Sequence, residues 1–379
     1  MFAALHWRTT LPQYGDMGLD LLTLIIPTHN RARHCAAQLY FLLRQGVRHR
    51  ILVADSSNAP DAEMLRVAYG ETVKILPFPP EIRPLDKFVE AVAAADTPYV
   101  AMMPDDDITF PRSIERCLDH LVAHEDTVAA HGYVLDIAIR SGEFDMPAVR
   151  WFSPTIGEDD PLQRLYHLLR RYQPFVWAVF RRDALLLALQ RAQDAKLIFA
   201  QELTVLATAV LLGKVARLPL IYTMRGEEVS GAPQAQWDPF FTLLDDSEML
   251  GAEYRRYRDR LIELIAERGL SGSHPLDALP HTLNLMHMIF LRPLLDAGLL
   301  NHTARLRLGD ALPPLVPSLP AHDCGPIGAE DIVIRSPRHD RTYVWRHAVL
   351  AAEPREEIVI SSEERDCALE ALDDYDLIL

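Results

Sequence analysis

The chain has 379 residues, 49% of them hydrophobic and 24% charged, with a formal net charge of -15. That is ordinary for a globular protein, and the length holds one large domain with an appendage or two domains. The acidic balance excludes non-specific binding along a nucleic-acid backbone, although an acidic ligand can still be held through a metal or a local basic group.

Four cysteines, Cys35, Cys117, Cys324 and Cys367, lie far apart with no C-x-x-C pair. Cys35 and Cys117 fall on apolar faces of expected helices, so buried free thiols and a reducing, cytoplasmic compartment are expected. Residues 1–20 carry no signal-peptide pattern, and no apolar run reaches the roughly 20 residues that span a bilayer. Peripheral contact with the inner face of a membrane stays open.

Leu21 to Asn30 (LLTLIIPTHN) is a continuous apolar run stopped at Pro27, the pattern of a buried parallel strand. A helix is expected over RARHCAAQLYFLLRQG, with Cys35, Leu39, Leu42 and Leu43 on one face and Gly46 at its end. RILVADSSN reads as a second strand ending at Asp55 in a polar turn, and TVKILPF as a third. RPLDKFVEAVAAAD reads as a helix with Phe88, Val89, Val92 and Ala93 inward. The fourth strand, PYVAMM, runs into Asp105, Asp106 and Asp107. In RSIERCLDHLVAH, Ile114, Cys117, Leu118, Leu121 and Val122 keep helical spacing, and VAAHGYVLDIAI follows as a strand.

Beyond residue 150, PFVWAVFRRDAL reads as a strand entering a helix. QELTVLATAVLLGKVARLPLIYTMR reads as an apolar helix, a turn at Gly213 and a strand ending near Arg225. Asp238 to Leu308 is expected to be mostly helical, and Pro313, Pro314, Pro317 and Pro320 suggest a linker. The acidic tail holds short β-like pieces, DIVIRS, TYVWRHAVL and EIVIS.

Strands alternating with helices predict an α/β fold with a mainly parallel sheet, whose ligands collect beyond the carboxyl ends of the strands. Three polar clusters stand at such ends: Thr28-His29-Asn30-Arg31, Asp55-Ser56-Ser57 and Asp105 to Asp107. Adjacent carboxylates repel one another and are costly to bury without partners. Their place after a buried strand favours a metal-binding turn over a solvated acidic turn capping the helix that starts near Pro111.

In order, IIPTHNR, VADSSN, MPDDD and QEL resemble the family 2 glycosyltransferases over roughly Leu21 to Gly231, which implies a GT-A fold. VADSSN departs from the family's usual VDDGS by losing the glycine while keeping Asp55. Pro104 stands where the family's Asp-x-Asp motif would begin, and Gln201 replaces an acid that often precedes the base. The organisation implied is an N-terminal extension (1–20) and a glycosyltransferase domain (21–231), whose nucleotide-sugar half is about 21–135 and acceptor half about 136–231. A helical region (232–312) and a linker with a β-containing acidic tail (313–379) follow.

Transfer from a nucleoside diphosphate sugar needs its leaving diphosphate neutralised. Mg²⁺ or Mn²⁺ does this with one or two protein carboxylates, here Asp105 and Asp107, with Asp106 as the alternative contact. By resemblance Asp55 accepts a hydrogen bond from the nucleobase, uracil N3–H first. Its plainer reading is a turn aspartate bonded to its own backbone. Thr28, Asn30 and Arg31 border the same crevice. Arg31 either meets base or phosphate or lies exposed on the first helix. Lys87 either faces the nucleotide or is a solvated helix charge. Glu202 falls where the family places the general base; the alternative is a first-turn acid favoured by the helix dipole. Arg225 reaches the diphosphate or pairs with Glu227 or Glu228. Trp177 and Trp237 stack on a sugar or, more commonly, belong to a core. No histidine spacing suggests zinc.

The implied reaction is a single displacement with inversion from a donor nucleotide sugar, UDP-sugars leading. The acceptor stays open among a saccharide, a lipid-linked glycan, a protein or peptide and a modified nucleobase, as does self-association through the helical region. A sugar nucleotidyltransferase would normally show a glycine-rich loop after the first strand, and PTHNRARH has none. A non-catalytic nucleotide-sugar-binding or scaffold protein is the rival from another class.

Overall fold

The computed structural model describes residues 21–140, 143–151, 155–170, 172, 174–226, 243, 246–272, 274–292, 332–335 and 342–345. Its centre is a parallel block, ordered β3-β2-β1-β4, of β1 (Leu22–Thr28), β2 (Arg50–Asp55), β3 (Lys74–Pro77) and β4 (Tyr99–Met102). All of β1 and β4 is buried. Successive side chains face opposite sides, so Leu22, Leu24 and Ile26 enter one core and Ile25 the other. A strand covered on both faces needs apolar residues at every position, hence the continuous apolar runs.

On the first face, α1 (Ala32–Arg44) contributes Cys35, Leu39 and Leu42 to the core, and α2 (Asp61–Tyr69) contributes Leu65. The opposite face is covered by α3 (Pro84–Ala93), through Leu85, Val89 and Val92. Ala93, expected inward, is exposed, and Phe88 is only half-buried. β5 (Asp107–Thr109) follows the acidic turn and leads into α4 (Pro111–Ala123), which returns to the first face with Ile114, Cys117, Leu118 and Leu121. Val122 sits at the edge of that stripe, 51% exposed, and not on the buried face expected for it. α2 and β5 are too short to show a decisive period in the sequence.

From β4 outward the sheet becomes mixed. β6 (Thr127–Arg140) is flanked by antiparallel β7 (Glu143–Trp151) and β8 (Val179–Arg181), and β8 also pairs antiparallel with β4. Between β7 and β8 lies α5 (Pro161–Arg170); α6 (Arg182–Ala192) and α7 (Ile198–Leu212) follow, all three on the second face. β9 (Lys214–Gly226) runs parallel to β6 and antiparallel to β5. The parallel character expected of the whole sheet is thus concentrated in the β3-β2-β1-β4 block. β10 (Ile332–Arg335) and β11 (Thr342–Trp345) fall within DIVIRS and TYVWRHAVL, and β11 lies beside β7.

The helical region contributes α8 (Ser247–Arg268) and a helix over 279–292. Asp246 caps α8 by accepting a 2.8 Å hydrogen bond from Met249 N, and left-handed Gly269 (φ 63) ends it. Tyr257, Leu261, Leu264 and Ile265 of α8, with Leu279, Leu283 and Phe290, share the core that holds α7. Cys35 and Cys117 are buried free thiols. Among the described residues no helix is long and apolar enough to cross a membrane. Trp237, Glu227, Glu228, Cys324, Cys367, the 313–320 prolines and EIVIS lie outside the described residues.

Candidate active site

Thr28 is the Cα partner of Asp55, so β1 and β2 end level, and β4 delivers the acidic turn beside them. The loop after β1 bends at Asn30, which adopts φ 55 without a glycine. Asparagine tolerates this left-handed conformation better than most residues. Here it ties the two loops together: Asn30 N donates to Ser57 Oγ (2.8 Å), and Asn58 N donates to Asn30 Oδ1 (2.8 Å). Asn30 therefore shapes the crevice through the loops, and its side chain is exposed.

Asp55 is buried, and its Oδ1 accepts from Ser57 N at 2.8 Å. That is the turn bond of the plainer reading. Among the described residues no hydrogen bond reaches Oδ2, which leaves an acceptor for a ligand donor. Lys87 is not a solvated charge. It is buried, and Nζ donates to Thr28 O (2.7 Å) and Ser56 Oγ (2.9 Å), tying the tips of β1 and β2 from below. Burial pulls its pKa down, opposed by the charges of Asp105 and Asp55.

The three aspartates divide. Asp105 and Asp107 are buried, whereas Asp106 is partly open. Thr28 Oγ1 donates to Asp105 Oδ2 at 2.7 Å. Arg31 Nη2 donates to Asp106 Oδ2 at 2.8 Å, and its Nη1 lies 3.5 Å from Asp105 Oδ1. Arg31 thus serves the acidic turn; it is neither a bare surface charge nor aimed solely at a ligand. Burial raises the Asp105 pKa; the Thr28 bond and the Arg31 charge oppose this. Gln38 of α1, buried beneath the turn and with its amide oriented to suit its neighbours, donates to Asp107 O (3.1 Å) and Pro104 O.

Glu202 stands one turn into α7, half-buried. Its Oε1 accepts from Tyr172 Oη at 2.6 Å, and among the described residues no hydrogen bond reaches Oε2. Burial raises its pKa, against the Tyr172 bond and the charge of Arg225. Arg225 is the β9 partner of Asp107. The β5–β9 pair therefore spans from the acidic turn to a cation that acts on Glu202. Gln201 is structural: its Nε2 donates to Ala195 O at 2.9 Å. Trp177 packs edge-on against Phe88, ring centroids 6.2 Å apart, in the role of a packing residue. Sequence reading missed Tyr172 and Gln38, whose parts depend on contacts across the fold.

The donor set suits a hard divalent cation. Asp105 and Asp107 are buried carboxylates, and burial of Asp105 outweighs its present partners, which an added positive charge would reverse. Among the described residues no three His, Cys, Asp or Glu side chains converge.

The family model described as glycosyl transferase family 2 matches residues 23–185. No curated protein matches the chain at a significant level. Among solved structures, S. aureus TarS aligns at 13% identity and TM-score 0.41, over 73% of this chain and 52% of that one. The chain thus spans about half of that protein's length. S. aureus TarS 1-349 in complex with UDP-GlcNAc aligns at 14% identity and TM-score 0.42, over 76% and 87% of the two chains. The family match covers somewhat under half of the chain, and its bounds enclose Thr28, Asp55, Lys87 and all three aspartates, so that segment is similar to glycosyl transferase family 2.

Proposed function

We propose that the protein is a metal-dependent, inverting glycosyltransferase of GT-A type that moves a sugar from a UDP-sugar to an acceptor hydroxyl. One observation supports this reading: strand pairing sets Asp107 opposite Arg225, whose charge favours the ionised form of Glu202, so one arginine lies between the aspartate turn and the candidate base.

Asp105 and Asp107 would hold Mg²⁺ or Mn²⁺, which when bound supplies Lewis-acid neutralisation of a diphosphate. Asp55, buried at the tip of β2, presents Oδ2 to a nucleobase N–H. Lys87 and Asn30 tie the tips of β1 and β2 together and Thr28 ties β1 to the acidic turn, which preserves the shape of that crevice. Arg31 holds Asp106 to one side of the turn. Arg225 offers a cation near the departing diphosphate. The acceptor oxygen bonds to the anomeric carbon as the bond from that carbon to the diphosphate breaks, and Glu202 Oε2 takes the hydroxyl proton. No covalent sugar intermediate is needed. We place the protein in the cytoplasm, where the buried thiols of Cys35 and Cys117 stay reduced.

Glu202→Gln is the test. It should keep the stabilisation by UDP with Mn²⁺ and lose at least 100-fold in nucleoside diphosphate release, the usual scale for a general base. Unchanged turnover would remove Glu202 from this role.

A further inference from the structure

We propose that Tyr172 is the positioning residue of Glu202, and that the helix over 279–292 completes the active site by holding Tyr172 through Phe290. The proposal rests on the reading of Glu202 as the base.

Tyr172 lies 30 residues before Glu202, yet its Oη donates to Glu202 Oε1 at 2.6 Å. A phenol donor does two things for a carboxylate. It fixes the side-chain rotamer, and it favours the ionised form. With Oε1 engaged, Oε2 is the oxygen left to accept a proton. The phenol is itself held. Its ring lies 5.0 Å from the ring of Phe290, tilted by 56°, and Phe290 is buried in the core of α7 and α8. Aromatic pairs at this separation contribute beyond their buried area. The helix over 279–292 therefore reaches the proposed base through one ring and one hydroxyl. A second link runs the same way: Glu253 of α8 accepts from Lys196 N (2.8 Å) and Leu197 N (3.3 Å), where α7 begins.

The test is Tyr172→Phe in the full chain, which removes the hydroxyl and keeps the ring. The ¹³C carboxyl resonance missing from Glu202→Gln identifies Glu202, and its titration midpoint is followed by NMR. Loss of a hydrogen bond to the charged form should raise that midpoint by about one pH unit. The acid limb of nucleoside diphosphate release from a UDP-sugar should move to higher pH with it. Phe290→Leu should move the midpoint in the same direction by less, which covers the case of poor folding in the first variant.

An unmoved midpoint in both folded variants would overturn the proposal, even if both melted at lower temperature, since a merely structural tyrosine would do no more. If the midpoint moves while Glu202→Gln keeps full turnover, Tyr172 positions Glu202 as inferred and the assignment of Glu202 as base is what fails.

Discussion

Replacing Asp105 with asparagine separates a ligand-binding carboxylate from a structural one. Asp105 is 6% exposed, and burial drives its pKa up despite Thr28 and Arg31. The substitution keeps the shape. Thr28 Oγ1 can still donate to the amide oxygen, and Arg31 keeps Asp106 at 2.8 Å. What is lost is the 3.5 Å pairing with a guanidinium that is 33% exposed, so at most about 1 kcal/mol after solvent screening. Relief of the buried charge acts in the opposite sense. The ligand-free melting point should therefore stay within about 4 °C of the parent. Binding should not survive. At a UDP and Mn²⁺ concentration of about 100 Kd the native state gains about 2.7 kcal/mol, and a 100-fold weaker site gains only about 0.4. The assay is thermal denaturation with and without UDP and Mn²⁺. Either a full ligand-induced shift in the variant, or a ligand-free variant melting well below the parent, would refute the reasoning. The pH dependence has a definite sign. Because the folded pKa of Asp105 is raised, the native state binds more protons than the unfolded state just above the unfolded pKa, and this group's contribution makes stability fall as pH rises through that window. The parent and Asp105→Asn should diverge across it and converge below it.

The raised pKa of Glu202 predicts an acid limb in the kcat–pH profile above the usual glutamate range, with activity falling as pH drops through it and the base is protonated. A limb near pH 4 would contradict this. Lys87→Met should cost about 1–3 kcal/mol in a urea melt, because the ties to Thr28 O and Ser56 Oγ are lost. It should also shrink the UDP-induced thermal shift by loosening the tips of β1 and β2. Glu253→Ala should cost about 2–4 kcal/mol in the same assay. Two backbone N–H groups at the start of α7 lose their acceptor and Arg256 loses its carboxylate. A change under about 0.5 kcal/mol would remove Glu253 from that role.

The parallel block was legible because burial on both faces leaves a strand such as Leu22–Thr28 almost wholly apolar, with only Thr23 and Thr28 polar. The three polar strand ends were legible for a related reason: a buried run must stop before charges such as Asp55 and Asp105 can be placed. Val122 and Ala93 were misplaced because helical spacing gives a stripe but not its width. β7 was missed because Glu143–Trp151 mixes charges and a proline without strict alternation, whereas α5 was legible, Leu162, Leu165, Leu168 and Leu169 keeping helical spacing, and went unread. Lys87 could not be judged from its helix alone. The partners that permit a buried ammonium, Thr28 O and Ser56 Oγ, come from other strands. Tyr172 belongs with Lys87 in this respect, since nothing in RRYQPF announces a hydroxyl aimed at position 202.

The helix that carries Glu202 shows what such long-range partners accomplish. α7 is apolar on nearly every side, its N-cap residue Leu197 makes no side-chain cap, and it has no acid in its first turn and no base in its last. A helix of this kind leaves end groups unsatisfied and its dipole uncompensated. Both needs are met from elsewhere. Glu253 puts a carboxylate at the N-terminus, and Arg164 of α5 donates to Val210 O (2.6 Å) and Leu211 O (3.1 Å) at the C-terminus. Each charge has the sign the dipole favours. The helix is thus pinned at its ends by α8 and α5, while Tyr172 fixes the one acidic side chain it presents. A proton acceptor must be held to within a fraction of an ångström of its target, and loops rarely achieve that. Here the precision comes from burying an apolar helix and capping it from other elements, which requires α5 and α8 to fold against it.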